Sequence, residues 1–120
     1  MTRAQLLIYD SQCRLADFLS EFVKSRLLWL RDVRHVKTCM NLLRQGGAGL
    51  LVMKLGGNLE QELSLLANVK LHFPAAQVIV VGDTDHPMLA GLCWDLGAAY
   101  VLFPPQPLEK LTEMVAGFFP

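Results

Sequence analysis

The sequence is poor in most of the features that mark specialised proteins. Only 18% of its 120 residues are charged, and eleven Lys and Arg balance eleven Asp and Glu, so the net charge is zero. No global field is therefore available to gather nucleic acid or an anionic membrane. Cysteine is scarce: Cys13, Cys39 and Cys93 are too few and too scattered for a disulfide framework or a zinc site. Each lies in an apolar helical pattern, where cysteine behaves as a small buried hydrophobe, and a reducing cytoplasm is the expected location. The N-terminal run stops at Asp10, which excludes a signal-peptide core. No stretch approaches the roughly 18 apolar residues of a membrane span. Linkers, internal repeats and low-complexity segments are absent too.

What is present is apolar: 52% of residues are hydrophobic, enough for a well-buried core in a chain of single-domain length. The charges are also unevenly placed. Residues 1–54 hold nine Lys/Arg against four Asp/Glu and residues 55–120 hold two against seven, giving +5 against −5. The basic cluster of Lys24, Arg26, Arg31, Arg34, Lys37 and Arg44 reads either as a partner surface or as a solvated rim.

Short apolar runs alternate with amphipathic segments. Leu6–Tyr9 reads as a buried strand, and Ser11 as the N-cap of a helix with Leu15, Phe18, Leu19, Phe22 and Val23 on one stripe. Leu28–Val33 is a weaker strand. Val36–Gln45 is a helix turning Val36, Met40 and Leu43 inward and ended by Gly46-Gly47. Gly49–Met53 is a third strand. Asn58 and Gln61 have the form of a capping box, opening a helix to about Phe73 with Leu63, Leu66 and Val69 inward, stopped by Pro74. Val78–Val81 is β-branched or strand-favouring throughout. Pro87 opens a helix with Leu89, Leu92, Cys93 and Leu96 inward and Gly97 at its C-terminal cap. Tyr100–Phe103 is a fifth strand, and the prolines 104, 105 and 107 lead into a last helix burying Leu108, Leu111, Val115 and Phe118. Five βα units in this order predict a doubly wound α/β fold, a parallel sheet covered on both faces in the order 2-1-3-4-5.

In such a sheet, chemistry belongs outside the carboxyl ends of the strands. The sequence places Asp10 and Ser11 after strand 1, Lys54 after strand 3, Gly82 and Asp83 after strand 4, and Phe103-Pro104 after strand 5. Other motifs are weak. Gly46-Gly47-Ala48-Gly49 follows a helix and precedes a strand, the wrong order for a phosphate-cradling loop. Asp83-Thr84-Asp85-His86 has metal-binding or acid/base residue types but reads more simply as a solvated loop. His35 and His72 are remote from it. Ser11 lacks a His/Asp pattern to activate it, no Asp-x-His-x-x-Gly motif is present, and Trp29 and Trp94 lack the interleaved basic residues of a base-stacking surface.

The run Gly97-Ala98-Ala99-Tyr100-Val101-Leu102-Phe103-Pro104 resembles the fifth-strand signature of bacterial response regulator receiver domains. The spacing from Asp10 to Lys54 to Gly82 to Phe103 is similar to that family's landmarks over essentially the whole chain, which implies a flavodoxin-like receiver fold spanning residues 1–120. In that family, paired acids after strand 1 and an Asp after strand 3 hold magnesium. The strand-3 Asp accepts phosphate, a Thr or Ser after strand 4 binds it, and a Lys after strand 5 completes the charge. Here Asp10 keeps one acid and Ser11 replaces the other. Lys54 stands at the phospho-acceptor position, Gly82 at the hydroxyl position with Thr84 nearby, and Phe103 at the Lys position. Pro104 is retained, and Tyr100 matches the aromatic that reports switching.

One carboxylate and one ammonium do not make a magnesium site, and an amine of ordinary pKa does not attack phosphate at neutral pH. The resemblance thus implies a pseudo-receiver in two-component signalling or a phosphorelay, with no catalytic residue, no metal and no cofactor. Asp10 and Lys54 are expected to pair, and the Phe103–Pro104 bond to be cis. A protein-interaction role is expected, with a partner or a fused output domain. The apolar end at Phe118-Phe119-Pro120 is of the kind a continuing chain would cover. Neither membrane contact nor direct nucleic-acid binding is expected. The alternative is a domain that senses a small anion or nucleotide near Lys54 and Gly82. Self-association is expected through helix 4, strand 5 and helix 5, with Met88, Trp94, Tyr100, Met114 and Phe118 at the interface. A two-fold contact there brings acidic surfaces together, so the charge split also suits a basic partner or a head-to-tail contact.

Overall fold

The computed structural model describes residues 5–12, 14–26, 28–46 and 48–119. Five βα units follow one another: β1 (Gln5–Tyr9), α1 (Arg14–Ser25), β2 (Trp29–Val33), α2 (Val36–Gln45), β3 (Ala48–Lys54), α3 (Leu59–His72), β4 (Gln77–Val81), α4 (Pro87–Asp95), β5 (Tyr100–Leu102) and α5 (Lys110–Phe118). The strands form one parallel sheet in the order β2-β1-β3-β4-β5, as the alternation of periods predicts. No helix among the described residues is long and apolar enough to cross a membrane.

The central strands read as unbroken apolar runs because successive side chains feed opposite cores. Leu7, Tyr9, Leu51, Met53, Val78 and Val80 face a core with Cys39, Leu43, Leu66, Val69 and Cys93 from α2, α3 and α4. Leu6, Ile8, Leu50, Val52, Ile79 and Val81 face the other, with Leu15, Leu19, Leu111 and Val115 from α1 and α5. Burial pushes the Cys39 thiol up to about 12 and raises that of Cys93, so both serve as apolar filling; Cys13 lies outside the described residues.

The helical stripes are narrower than expected. Phe18, Leu92 and Leu108 are exposed, and Leu63 and Phe118 are only half-buried. Helix α3 gains an unexpected inward residue, since Glu62 shares the 62-65-66-69 stripe with Leu65, Leu66 and Val69 and is buried with them. Helix α4 is capped by His86, whose Nδ1 accepts from Leu89 N at 3.1 Å. It closes at Leu96, and Gly97 follows at φ +108°, a left-handed conformation that side chains with a Cβ disfavour.

Candidate site at the carboxyl ends of the strands

Asp10 leaves β1 fully buried, and the helix that follows takes up its charge. Its Oδ1 accepts from Gln12 N at 2.9 Å, and its Oδ2 from Arg14 N at 2.8 Å and Leu15 N at 2.9 Å. A carboxylate at the positive end of a helix, bonded to amides with no partner inside the helix, is a favourable arrangement. The expected Asp10–Lys54 ion pair is therefore absent. The local amides reach Asp10 first, and they bond to it rather than to Ser11, the expected cap. The Ser11 side chain instead lies against Gly57, where an added Cβ would come within 2.6 Å of its Oγ.

A second buried carboxylate organises the β3–α3 loop. Glu62 Oε1 accepts from Gly56 N at 3.1 Å, and Oε2 accepts from Gly57 N at 3.1 Å and Asn58 N at 3.3 Å. Asn58 caps α3 by accepting from Gln61 N at 3.1 Å, half of the expected capping box. The returning bond comes from Glu62, not Gln61. Glu62 also acts on its surroundings: burial first and the Glu62 carboxylate second raise the pKa of the Tyr9 phenol.

Lys54, at the end of β3, pairs with Asp83 in the β4–α4 loop and also donates to the Leu55 carbonyl at 3.4 Å. The Lys54 side chain is 11% exposed and that of Asp83 55%. Asp83 leans in because β4 lies beside β3 in register, with Lys54 opposite Val81 and Leu55 N donating to Val81 O at 2.9 Å. The Asp83-Thr84-Asp85-His86 cluster is thereby divided: Asp83 serves Lys54, His86 caps α4, and Thr84 and Asp85 face solvent.

Gly82 and Phe103, two departures from the receiver pattern, meet. Val81 pairs with Leu102, and Gly82 N donates to Leu102 O at 3.0 Å, which sets Gly82 beside the ring of Phe103. A Cβ at Gly82 would lie 2.7 Å from two ring carbons. The ring is buried and takes the space that a hydroxyl-bearing side chain would need. Next to it a cleft of about 320 Å³ is lined by Leu55, Leu59, Leu89 and Phe103 with Asp83 and Thr84 at its polar side. The cleft is largely apolar, and among the described residues no cation lines it.

The residues present do not fit magnesium. Such a site needs several oxygen ligands in near-octahedral order. Both oxygens of Asp10 already accept amide hydrogens, Ser11 supplies no charge, and Lys54 brings an ammonium to the same end of the sheet.

Of the residues singled out in the sequence, Lys54, Gly82 and Phe103 gather at the ends of β3, β4 and β5, while Asp10 is withdrawn into the start of α1. Pro104 follows Phe103 half-buried. Among the described residues the bond in cis is Pro104–Pro105, not Phe103–Pro104 as expected. Among the candidate interface residues, Met88, Trp94 and Tyr100 are exposed and Met114 and Phe118 half-buried. Tyr100 sits edge-on between Trp94 and Phe118, with ring centroids 6.5 and 6.3 Å away. Glu62 was missed by sequence reading, although an acid at a core-stripe position was a visible signal.

No family model matches the sequence, and no curated protein is similar to it. Solved structures are. A response regulator receiver protein from Pseudomonas putida superposes with a TM-score of 0.79 at 24% identity, covering 98% of each chain. An orphan response regulator of H. pylori gives 0.80 at 12% identity over 99% of this chain and 100% of that one. RcsB from Salmonella enterica serovar Typhimurium, bound to promoter rprA in the presence of the phosphomimetic BeF3−, gives 0.77 at 16% identity over 96% of this chain and 67% of that one. The chain has the fold of these receiver domains.

Proposed function

We propose that this chain is a non-phosphorylatable pseudo-receiver: a protein-interaction module of bacterial signal transduction or transcription control, working in the cytoplasm without catalysis, metal or cofactor. The observation that carries the reading is the state of Asp10, the single acid retained at the magnesium position. Its two oxygens hold three backbone amides, and it is fully buried. Lys54 adds an ammonium where an attacking carboxylate would be needed, and Phe103 fills the space over Gly82. With neither metal nor anionic nucleophile, nothing neutralises charge on a transferring phosphoryl group.

The domain then acts by presenting a surface to a partner protein, a fused output domain or a second copy. The face of α4, β5 and α5 is the one we assign, because Trp94 and Tyr100 are exposed there with their rings in edge contact and Phe118 packs on Tyr100, while Met88 is exposed at the start of α4 and Met114 half-buried on α5. Trp, Tyr and Met are enriched at the centres of interfaces. The alternative, sensing of a small anion or nucleotide, gains no support from a cleft lined by apolar side chains and Asp83. Direct contact with nucleic acid or membrane is not part of the proposal.

Incubation with acetyl phosphate and magnesium, read by intact-protein mass, tests the reading. No mass is expected to be gained. A stoichiometric phosphoryl adduct overturns it.

A further inference from the structure

The sheet ends in two edge strands, and the two edges differ in charge. β2 lies at one and β5 at the other. Between Phe22 and Arg44 the chain carries six Lys/Arg and one acid, Asp32; from Asp85 to Phe119 it carries four acids and one cation, Lys110. Those segments include the helices beside each edge, so the charge split of the sequence becomes a separation across the sheet. At the β2 edge Arg31, Arg34 and Lys37 are exposed, and none of them joins an ion pair among the described residues. At the opposite edge Asp95, Glu109 and Glu113 are exposed.

Each edge also has an apolar centre. Trp29 is 43% exposed, with the Arg31 guanidinium over its ring at 5.7 Å. Leu28, Trp29, Leu30 and Arg31 line a shallow depression of about 340 Å³. Across the molecule the exposed rings of Trp94 and Tyr100 meet edge-on, and Phe118 packs on Tyr100 from the other side. An apolar centre on each surface, with opposite charges around the two, is the usual anatomy of a protein interface.

We infer that copies of this chain associate head to tail, the β2 edge of one against the α4–β5–α5 face of the next. The inference rests on the assignment of that face as an interaction surface and names its occupant. Pairing two such faces about a two-fold axis would set Asp95, Glu109 and Glu113 against their equivalents, whereas the β2 edge brings cations to them. Because the contact joins two different surfaces, each added copy leaves one of each kind open, so association continues with concentration unless a ring closes.

Complementary variants test this. Arg31→Glu/Arg34→Glu disables the basic edge, and Asp95→Lys/Glu113→Lys disables the acidic one. Sedimentation at low salt should show the wild type associating and dissociating as salt rises. Each variant alone should be monomeric, because its two surfaces then carry like charge, and an equimolar mixture should associate again, since the intact surfaces pair and the two reversed surfaces are themselves complementary. Trp29→Ser provides a second way to disable the basic edge should the double reversal fail to fold. A wild type that is monomeric at low salt overturns the inference. So does a dimer that resists salt and survives Arg31→Glu/Arg34→Glu but is lost in Trp94→Ala; that result would leave the α4–β5–α5 face in use and remove only its proposed occupant.

Discussion

Two kinds of acidic side chain stand at the carboxyl ends of one sheet. Asp10 and Glu62 are buried, and each carboxylate holds three backbone amides, so each fixes the loop that carries it. Asp83, one loop away, is largely exposed and makes a single ion pair. Position in the fold does not decide which role an acid takes. What decides is whether unpaired amides of a helix start or a tight loop lie within reach, because a buried carboxylate needs donors and an exposed one has water. Acids held this way are shielded from solvent and have most of their lone-pair sites taken by amide hydrogens.

Removing the buried acids should have the largest effect. Glu62→Ala frees the three amides of the Gly56-Gly57-Asn58 loop and empties a buried position, and should cost about 1–3 kcal/mol in urea unfolding, with Glu62→Gln retaining part of the stability. Asp10→Ala removes the acceptor of three amides at the start of α1 and should cost about 2–3 kcal/mol. A small effect at either position would erase the distinction from Asp83.

Next in size is the packed pair. Gly82→Thr drives a side chain into the Phe103 ring and should destabilise by about 1–3 kcal/mol. Phe103→Ala combined with it should recover much of that loss. Additive costs in the double variant would show that the two positions do not compensate each other.

The Lys54–Asp83 ion pair, open to solvent on its Asp83 side, should matter least at neutral pH. Lys54→Ala and Asp83→Asn should each cost under about 1 kcal/mol. Had Lys54 paired with buried Asp10, as the sequence suggested, the loss would be several times greater, so the measurement also checks the corrected partner.

The thiols sharpen the contrast from the side of the core. With the Cys39 pKa raised from its ordinary 9.0 to about 12, the native state holds the thiol proton that the unfolded state releases. Its contribution to stability is full below pH 9 and is lost as the pH rises from there to about 12. Urea midpoints on either side of pH 9 should show this loss, and Cys39→Ala should remove it.

Much of this was legible in the sequence. The alternation of strand and helix periods specified five βα units and their order, since parallel strands require crossovers of one hand. The site was legible by position but not by contact. Lys54 was matched with Asp10 because both end central strands. Yet the register that sets Lys54 opposite Val81 brings Asp83 closer, while α1 claims Asp10. Gly82 and Phe103 each read as a loss when taken singly; their contact depends on the Val81–Leu102 pairing, which the pattern of residues does not display. Glu62 could have been found. An acid three and four residues before Leu65 and Leu66 on a buried stripe needs donors, and the Gly56-Gly57-Asn58 loop supplies them.

The central claim is that the carboxyl-end site is satisfied from within and has no place for an ion or a phosphoryl group. Thermal unfolding in the presence of magnesium and beryllofluoride, set against unfolding without them, tests it most directly, because anything that binds only the native state raises the melting temperature by mass action. The account predicts no shift with either reagent alone or with both together. A rise that depends on both, and disappears in Asp10→Asn, would contradict it.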